Sequence, residues 1–409
     1  MRRNRETTRS RVRLIEISAS KKYSLNGGPF GSKLVSRDYQ PSGVPVIRGV
    51  NLPNYSQFSY EDFVFVSEEK ANDLLPNNAH PGDLIFTQRG TLGQVGLIPK
   101  DSPYKRFVIS QSQMKLTVDK TKAEAEFLYY YFRQPDTVQK IQNLALSSGI
   151  PHINLDILRN FEVLLPSLPN QRKIADILSN YDRLIENNTR RIKILEEMAQ
   201  LIYREWFVNF RFPGYENVSI VKSERGLIPQ GWKALTLGDV IELAYGKALK
   251  ASDRRGGSVS VYGSSGIVGH HDQCLVKAPG IVVGRKGNVG SVFWSDEDFF
   301  PIDTVFYVQS EVCLHYIYYN LQTQNFINND AAVPGLNRNQ AYSLPFILPT
   351  SELLQKFQAF VSSIFDQLKN LRQKNQNLRQ TRDLILPKLI SGEIDVEAID
   401  TSDLEAIAA

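Results

Sequence analysis

Residues 165–202 read LPSLPNQRKIADILSNYDRLIENNTRRIKILEEMAQLI, and residues 348–385 read LPTSELLQKFQAFVSSIFDQLKNLRQKNQNLRQTRDLI. Both stretches open on Leu-Pro, at Pro166 and Pro349, an offset of 349 − 166 = 183. By that offset Ile174, Leu178, Tyr181, Ile185, Asn188, Ile192, Leu195, Ala199 and Ile202 fall on Phe357, Val361, Ile364, Leu368, Leu371, Asn375, Leu378, Arg382 and Ile385. Both series step by four and three in alternation, the spacing of a coiled-coil seam. A long helix occurring twice, each time after a loop-rich module, predicts an internally duplicated, pseudo-symmetric chain.

Each seam carries one asparagine. If Asn188 faces Asn375 in an antiparallel pair, partner numbers sum to 563. That register sets Leu178 on Ile385, Ile185 on Leu378, Ile192 on Leu371, Leu195 on Leu368, Ile202 on Val361 and Trp206 on Phe357. A seam asparagine satisfied by its twin fixes register at some cost in stability. Asn170 is expected to cap the first helix, and Ser351 followed by Glu352 the second. Phe212-Pro213-Gly214 and Pro387 are the expected stops. The plainer alternative is a pair of ordinary surface helices on separate domains.

The modules that precede the helices read as short strands broken by Gly, Pro and Ser. In the first these are 44–47, 63–66, 83–87 and 114–118, followed by a helix over 123–133 and another near Thr137. The second repeats the order in shorter form, with strands at 281–283 and 304–308 and a helix over 314–322. Two glycine loops answer each other, Arg89-Gly90-Thr91-Leu92-Gly93 and Lys286-Gly287-Asn288-Val289-Gly290, here at an offset of 287 − 90 = 197. Ser147–Pro151 and Ala331–Gly335 are the matching turns ahead of each long helix. The expected class is α+β: two pseudo-symmetric α/β modules separated by two long helices that pair as an antiparallel coiled coil. The expected division is a first module over 1–166, a central helix over 167–213, a second module over 214–349, a C-terminal helix over 350–390 and an acidic tail over 391–409.

At 409 residues, two or more domains are expected. No apolar run is long enough to span a bilayer, and Met1-Arg2-Arg3-Asn4-Arg5 lacks the apolar core of a secretory signal. Cys274 and Cys313 are too few for a disulfide framework, so a reducing cytoplasm is the expected setting. Charge is uneven: residues 1–166 hold 22 Lys/Arg against 16 Asp/Glu, residues 214–349 hold 11 against 12. The first module therefore argues for nucleic acid better than the second.

Motifs for chemistry are missing. Gly27-Gly28-Pro29-Phe30-Gly31-Ser32-Lys33 has the wrong order for a phosphate-binding loop, and Gly284, Gly287 and Gly290 do not have dinucleotide spacing. Neither tetrapeptide usual in amino-methyltransferases, Asn-Pro-Pro-Tyr or Asp-Pro-Pro-Tyr, occurs. His270-His271-Asp272-Gln273-Cys274 has no second ligand pair at zinc spacing. The chain reads as a binding protein that holds no metal or cofactor.

Several blocks together resemble the specificity subunit of type I restriction-modification enzymes. They are Gln171-Arg172-Lys173-Ile174-Ala175, Glu205-Trp206-Phe207-Val208-Asn209-Phe210, and Leu386-Pro387-Lys388-Leu389-Ile390-Ser391-Gly392-Glu393-Ile394, each in the same order relative to the modules. The resemblance implies two target recognition domains, each gripping one half of a split double-stranded DNA sequence, with the helices as a ruler between them. It further implies docking of two methylation subunits that carry S-adenosylmethionine, and of motor-nuclease restriction subunits that use ATP and Mg. This chain would carry no catalysis and no cofactor of its own. Helices of about 50 Å, at about 1.5 Å per residue, span roughly 14–15 base pairs. An arginine-rich arm (Arg2, Arg3, Arg5, Arg9, Arg11, Arg13) either tracks phosphates or is disordered.

Base readout favours Arg, Lys, Asn and Gln on loops, and backbone contacts favour cations and main-chain amides. The candidates are Lys21, Lys22, Arg48, Gln88, Arg89, Lys105, Arg106, Gln111 and Gln113 in the first module, and Lys247, Lys250, Arg254, Arg255, His270, His271, Arg285 and Lys286 in the second. Arg89, Arg285 and Lys286 lead, because each sits on a glycine loop that follows a strand. Three rival readings remain at this point: a complete restriction-methylation enzyme, a coiled-coil scaffold that never touches DNA, and the specificity chain of another bipartite-site system.

Overall fold

The computed structural model describes residues 9–54, 56–146, 152–326 and 335–398. The turns expected at Ser147–Pro151 and Ala331–Pro334, the arm residues Arg2, Arg3 and Arg5, and most of the acidic tail lie outside them. The chain forms two compact units, Met1–Asn188 with Lys374–Ala409, and Thr189–Gln373. Both unit boundaries fall inside the long helices, so each unit holds half of each helix.

In the first unit, Leu25–Gly27, Gln113–Leu116, Leu84–Thr87 and Val95–Leu97 form an antiparallel four-stranded sheet in that order. A second sheet joins Val64–Val66, Val44–Ile47, Phe107–Ile109 and Asn78–Ala79, with Val44–Ile47 and Phe107–Ile109 parallel. Ser10–Arg13 pairs with Glu162–Leu165 just before the central helix. These strands are short apolar runs buried on both faces, so they show little polar alternation.

The second unit repeats this plan. Glu242–Tyr245, Val305–Gln309, Gly280–Gly284 and Val292–Ser295 form the four-stranded antiparallel sheet. Val259–Gly263 lies parallel to Phe299–Pro301 in the second sheet, and Lys233–Thr236 pairs with Pro345–Leu348 before the C-terminal helix. The helices Ala125–Arg133 and Leu314–Thr323 occupy matching places in the two units. The fold is mixed helix and sheet, built twice.

The central helix runs Leu168–Tyr203 and the C-terminal helix Ser351–Ser391. In the first unit, Asn188 Nδ2 donates to Asn375 Oδ1 at 3.0 Å, and Asn375 Nδ2 reaches the Ile185 carbonyl at 3.4 Å. Ile174 and Leu178 lie in the first unit's core with Tyr181 and Ile385 packed on it, Ile185 is buried, and Leu378 is half-buried. In the second unit, Phe357, Val361, Ile364, Leu368 and Leu371 are buried, and Ile192, Leu195 and Ile202 pack on the core that holds the first four. Trp206 meets Phe357 with ring centroids 5.8 Å apart. In each unit partner numbers rise on one helix as they fall on the other, so the paired segments are antiparallel.

Replacing Asn188 by leucine strands the buried Asn375 carboxamide oxygen from its side-chain donor. Urea unfolding should show a loss of about 1 kcal/mol, and an unchanged midpoint would count against the pair as a stabilising contact.

Helix ends differ from expectation at all four termini. Asn170 does not cap: its side chain donates to Glu397 Oε1 at 3.0 Å, while the Ser167 carbonyl accepts from Gln171. Thr350, not Ser351, caps the second helix, its hydroxyl accepting from the Leu353 amide at 3.4 Å. The central helix passes at Tyr203 into a π-helical turn, Arg204–Val208, closed by Asn209 N–H on the Arg204 carbonyl at 2.9 Å. That turn seats Phe207 edge-on against Tyr316 and Phe357. Pro387 lies inside the C-terminal helix. The proline removes one backbone hydrogen bond, and burial of Leu386, Leu389 and Ile390 in the first unit's core offsets it.

Half of the arginine arm is structural. The Arg9 guanidinium donates to the Ile390 and Leu389 carbonyls, Arg11 pairs with Glu162 at 3.1 Å and Arg13 with Glu16 at 2.8 Å.

In the second unit His315 is buried, stacked on Trp294 at 4.7 Å and edge-on to Phe365 at 4.5 Å. Burial lowers its pKa, with Asp296 and Asp366 pulling weakly the other way. The neutral ring is thus favoured on folding. The contribution is complete above the ordinary histidine value of about 6.5 and is lost as pH falls through the lower folded value. The thermal midpoint should drop on that acid limb, and His315→Phe should flatten it. An equally steep limb in the variant would assign the loss to other groups.

Candidate nucleic-acid interface

Strand register brings several loops to one end of each four-stranded sheet. In the first unit Gly27 faces Met114, Thr87 faces Gln113, and Phe86 faces Val95. The loops at 28–43, 88–94 and 110–112 therefore leave from the same end. In the second unit Tyr245 faces Phe306, Gly284 faces Val305, and Val283 faces Val292. This gathers the loops at 246–258, 285–291 and 302–304.

Glycine is required where those loops crowd. A Cβ on Gly28 would sit 2.0 Å from the Ser110 carbonyl oxygen, and one on Gly246 would sit 2.1 Å from that of Ile302. Only a residue without a side chain allows the approach.

Each glycine loop is tied to the start of the segment leading to the long helix. Arg89 bridges to His152 and Lys286 to Gly335, offsets of 286 − 89 = 197 and 335 − 152 = 183. Beside them, Ile153 N–H donates to the Gln88 carbonyl at 3.1 Å and Leu336 N–H to the Arg285 carbonyl at 2.8 Å. The same junction is built twice, with different side chains on it.

At this end of the first unit Arg89 is exposed and Gln88 half-buried. Gln111 also lies here, but its amide is spent on the Gly31 and Leu34 carbonyls at 2.6 and 3.0 Å, pinning a loop whose Phe30 is 84% exposed. Arg48 is held on the Asp62 carbonyl. Gln113 is a correction: it is buried on its strand and hydrogen-bonded to the Ser110 hydroxyl, so it cannot reach a groove. Lys21, Lys22, Lys105 and Arg106 precede their strands and so lie away from the loop end. Lys22 sits 4.8 Å over the Tyr23 ring, and Arg106 pairs with Glu68 and donates to Asn72.

In the second unit Lys247, Lys250 and Lys286 are exposed near the loop end, with Arg285 half-buried beside them. Arg254, Arg255, His270 and His271 cluster toward the other end, where Val259 faces His271. Arg254 donates to the Val268 carbonyl at 2.6 Å and Arg255 pairs with Asp272 at 3.3 Å. His271 is the second correction. It is buried, its Nδ1 accepting from the Arg255 backbone at 3.3 Å, because it closes an inward-facing strand position. Among the described residues no group of three His, Cys, Asp or Glu side chains is placed to hold a metal ion, and no helix is long and apolar enough to cross a membrane.

Sequence reasoning missed Tyr245 and Arg338. The guanidinium carbons of Arg285 and Arg338 lie 5.1 and 5.2 Å from the Tyr245 ring centroid. The one signal available was the polar run Asn337-Arg338-Asn339-Gln340 after the pre-helix turn.

The family model described as the type I restriction modification DNA specificity domain matches residues 28–197 and again 229–380. The chain belongs to the type I restriction-modification specificity family. Each match covers most of one copy of the sheet-and-loop module together with most of its long helix. Among similar specificity subunits, that of the type I restriction enzyme MjaIX from Methanocaldococcus jannaschii is 22% identical, over 89% of either chain. That of the HindI enzyme from Haemophilus influenzae is also 22% identical, over 76% of this chain and 86% of the relative. The crystal structure of the type I restriction-modification S subunit from M. genitalium shares the fold, with a TM-score of 0.60 at 17% identity over 95% of this chain and 98% of that one. As a specificity subunit the chain carries two recognition modules, consistent with a target read in two parts.

Proposed function

We propose that each unit grips one half of a split double-stranded DNA target through its sheet-end loops, and that the chain performs no catalysis. The observation that carries this is the twice-built junction of glycine loop and pre-helix turn, which presents different side chains in the two units. Two methylation subunits bearing S-adenosylmethionine dock along the helices, and motor-nuclease subunits using ATP and Mg join them in the cytoplasm. Support for docking comes from Ile194, Met198 and Leu201, each 44–50% exposed along one face of the central helix in the second unit. Helical spacing puts them in a single apolar stripe, the kind of surface that partners cover.

Long-read mapping of methylated bases tests this in cells that make the chain with its methylation subunit. One two-part motif, absent when the chain is withheld, is the expected result. A complex that assembles normally and leaves no new motif would sink the proposal and favour a scaffold.

A further inference from the structure

Tyr245 ends its strand at the loop end of the second unit's sheet, and the residue is 51% exposed. Two guanidiniums attend that ring, and they are held differently. Arg285 Nη1 donates to the Asp303 carbonyl at 2.9 Å, and its guanidinium also lies 5.8 Å from the Phe306 centroid. Arg338 rests on aromatic faces: Tyr245, and Tyr342 at 5.9 Å. Tyr342 is itself fixed, its hydroxyl accepting from the Leu243 amide at 2.9 Å. Among the described residues neither arginine forms an ion pair, and the Arg338 donors meet no protein acceptor. The other arginines proposed for this unit, Arg254 and Arg255, are committed to a carbonyl and to an aspartate.

Two cations with no ion-pair partner among the described residues, about one exposed ring, make a positive surface that draws DNA. A mobile lysine would serve a phosphate equally well. A planar fork laid on two rings does more, because its donors keep one orientation, as bidentate recognition of guanine O6 and N7 requires. Resting on the function proposed above, we infer that Arg338 reads a guanine in the half-site held by the second unit. Tyr245 and Arg285 are its positioning residues. At the matching position of the first unit the 183-residue offset (338 − 183 = 155) puts Leu155, so the arginine has no counterpart there. The two half-sites therefore differ in what is read at this junction.

The test is methylated-base mapping of the assembled complex with the natural chain, Arg338→Ala and Arg338→Lys, alongside co-purification to establish assembly. The natural chain is expected to leave one two-part motif. With Arg338→Ala one half of that motif should lose its preference at a single G·C pair, and modification of the original site should fall about 10–100-fold relative to sites altered there. The other half stays unchanged and reports that the complex is intact. Arg338→Lys keeps the charge without the fork, so it should relax the same position; it also decides the matter if the alanine chain fails to assemble. An unaltered motif, with modification lowered evenly at every site or not lowered, would overturn the inference and leave the function standing. Absence of any motif with the natural chain would overturn both.

Discussion

A chain ended after Gln373 should lose the first unit while keeping the second. Leu386, Leu389, Ile390 and Val396 lie in the core built by the N-terminal sheets and helices, each at most 6% exposed. At about 1.5–3 kcal/mol per buried side chain, their loss removes about 6–12 kcal/mol, most or all of the stability of an ordinary domain. Residues 189–373 retain their own core, including Phe357, Val361 and Leu368. Hydrogen exchange followed by mass spectrometry should show rapid exchange across the strands between Leu25 and Leu116, and native protection across Gly280–Gly284 and Val305–Gln309. Native protection in both groups would refute the division of the helices between the units.

Removing the Asp182 carboxylate should be a severely damaging single change in the coiled coil. Asp182 accepts from the Tyr130 hydroxyl at 2.7 Å and pairs with the Arg382 guanidinium, with side chains 14% and 9% exposed across the ion pair. Burial works against the charge on Arg382, and Asp182 together with Asp383 outweighs it, holding the guanidinium protonated above its ordinary range. Burial, reinforced by the same carboxylate, drives the Tyr130 phenol well upward. In Asp182→Ala the Tyr130 hydroxyl loses its acceptor, and Arg382 loses its buried partner while keeping Asp383, which is 63% exposed. Breaking a buried pair costs about 3–5 kcal/mol, and the retained Asp383 contact should hold the loss near the lower end. The double change Asp182→Leu with Arg382→Met should recover most of that, since no buried charge is left unpaired and Asp383, which is 63% exposed, stays in solvent. Denaturant unfolding of the three chains decides it. A double variant no better than Asp182→Ala would assign the loss to Tyr130.

The α+β class, the duplication and the family were legible in the sequence, because seam spacing, glycine loops and Leu-Pro starts are local patterns. Other features are set by distant partners. Gln113 and His271 read as groove-facing donors, yet whether a short strand residue faces inward depends on which strand lies beside it. Arg382 falls on a seam position where an apolar residue is the rule. What admits it is Asp182, a residue off the seam series and 200 positions away. Pro387 reads as a stop by its own chemistry, and the core of the first unit overrides it. Arg338 and Tyr245 are 93 residues apart, so only the junction of loop and turn reveals them as neighbours. The division of each helix between units was invisible for the same reason, since an unbroken heptad rhythm carries no mark where one core ends and another begins.

That division also orders events during synthesis. Residues 189–373 form one uninterrupted stretch, so every part of the second unit's core has been synthesised once Gln373 is added. The first unit begins earlier but stays open: Arg9 waits for the carbonyls of Leu389 and Ile390, about 380 residues downstream. Closing so long a loop is entropically costly in an unfolded chain. A second unit that folds first shortens the effective loop by condensing the intervening chain. The second unit can therefore complete its core from a shorter length of chain than the first, which needs both of its segments.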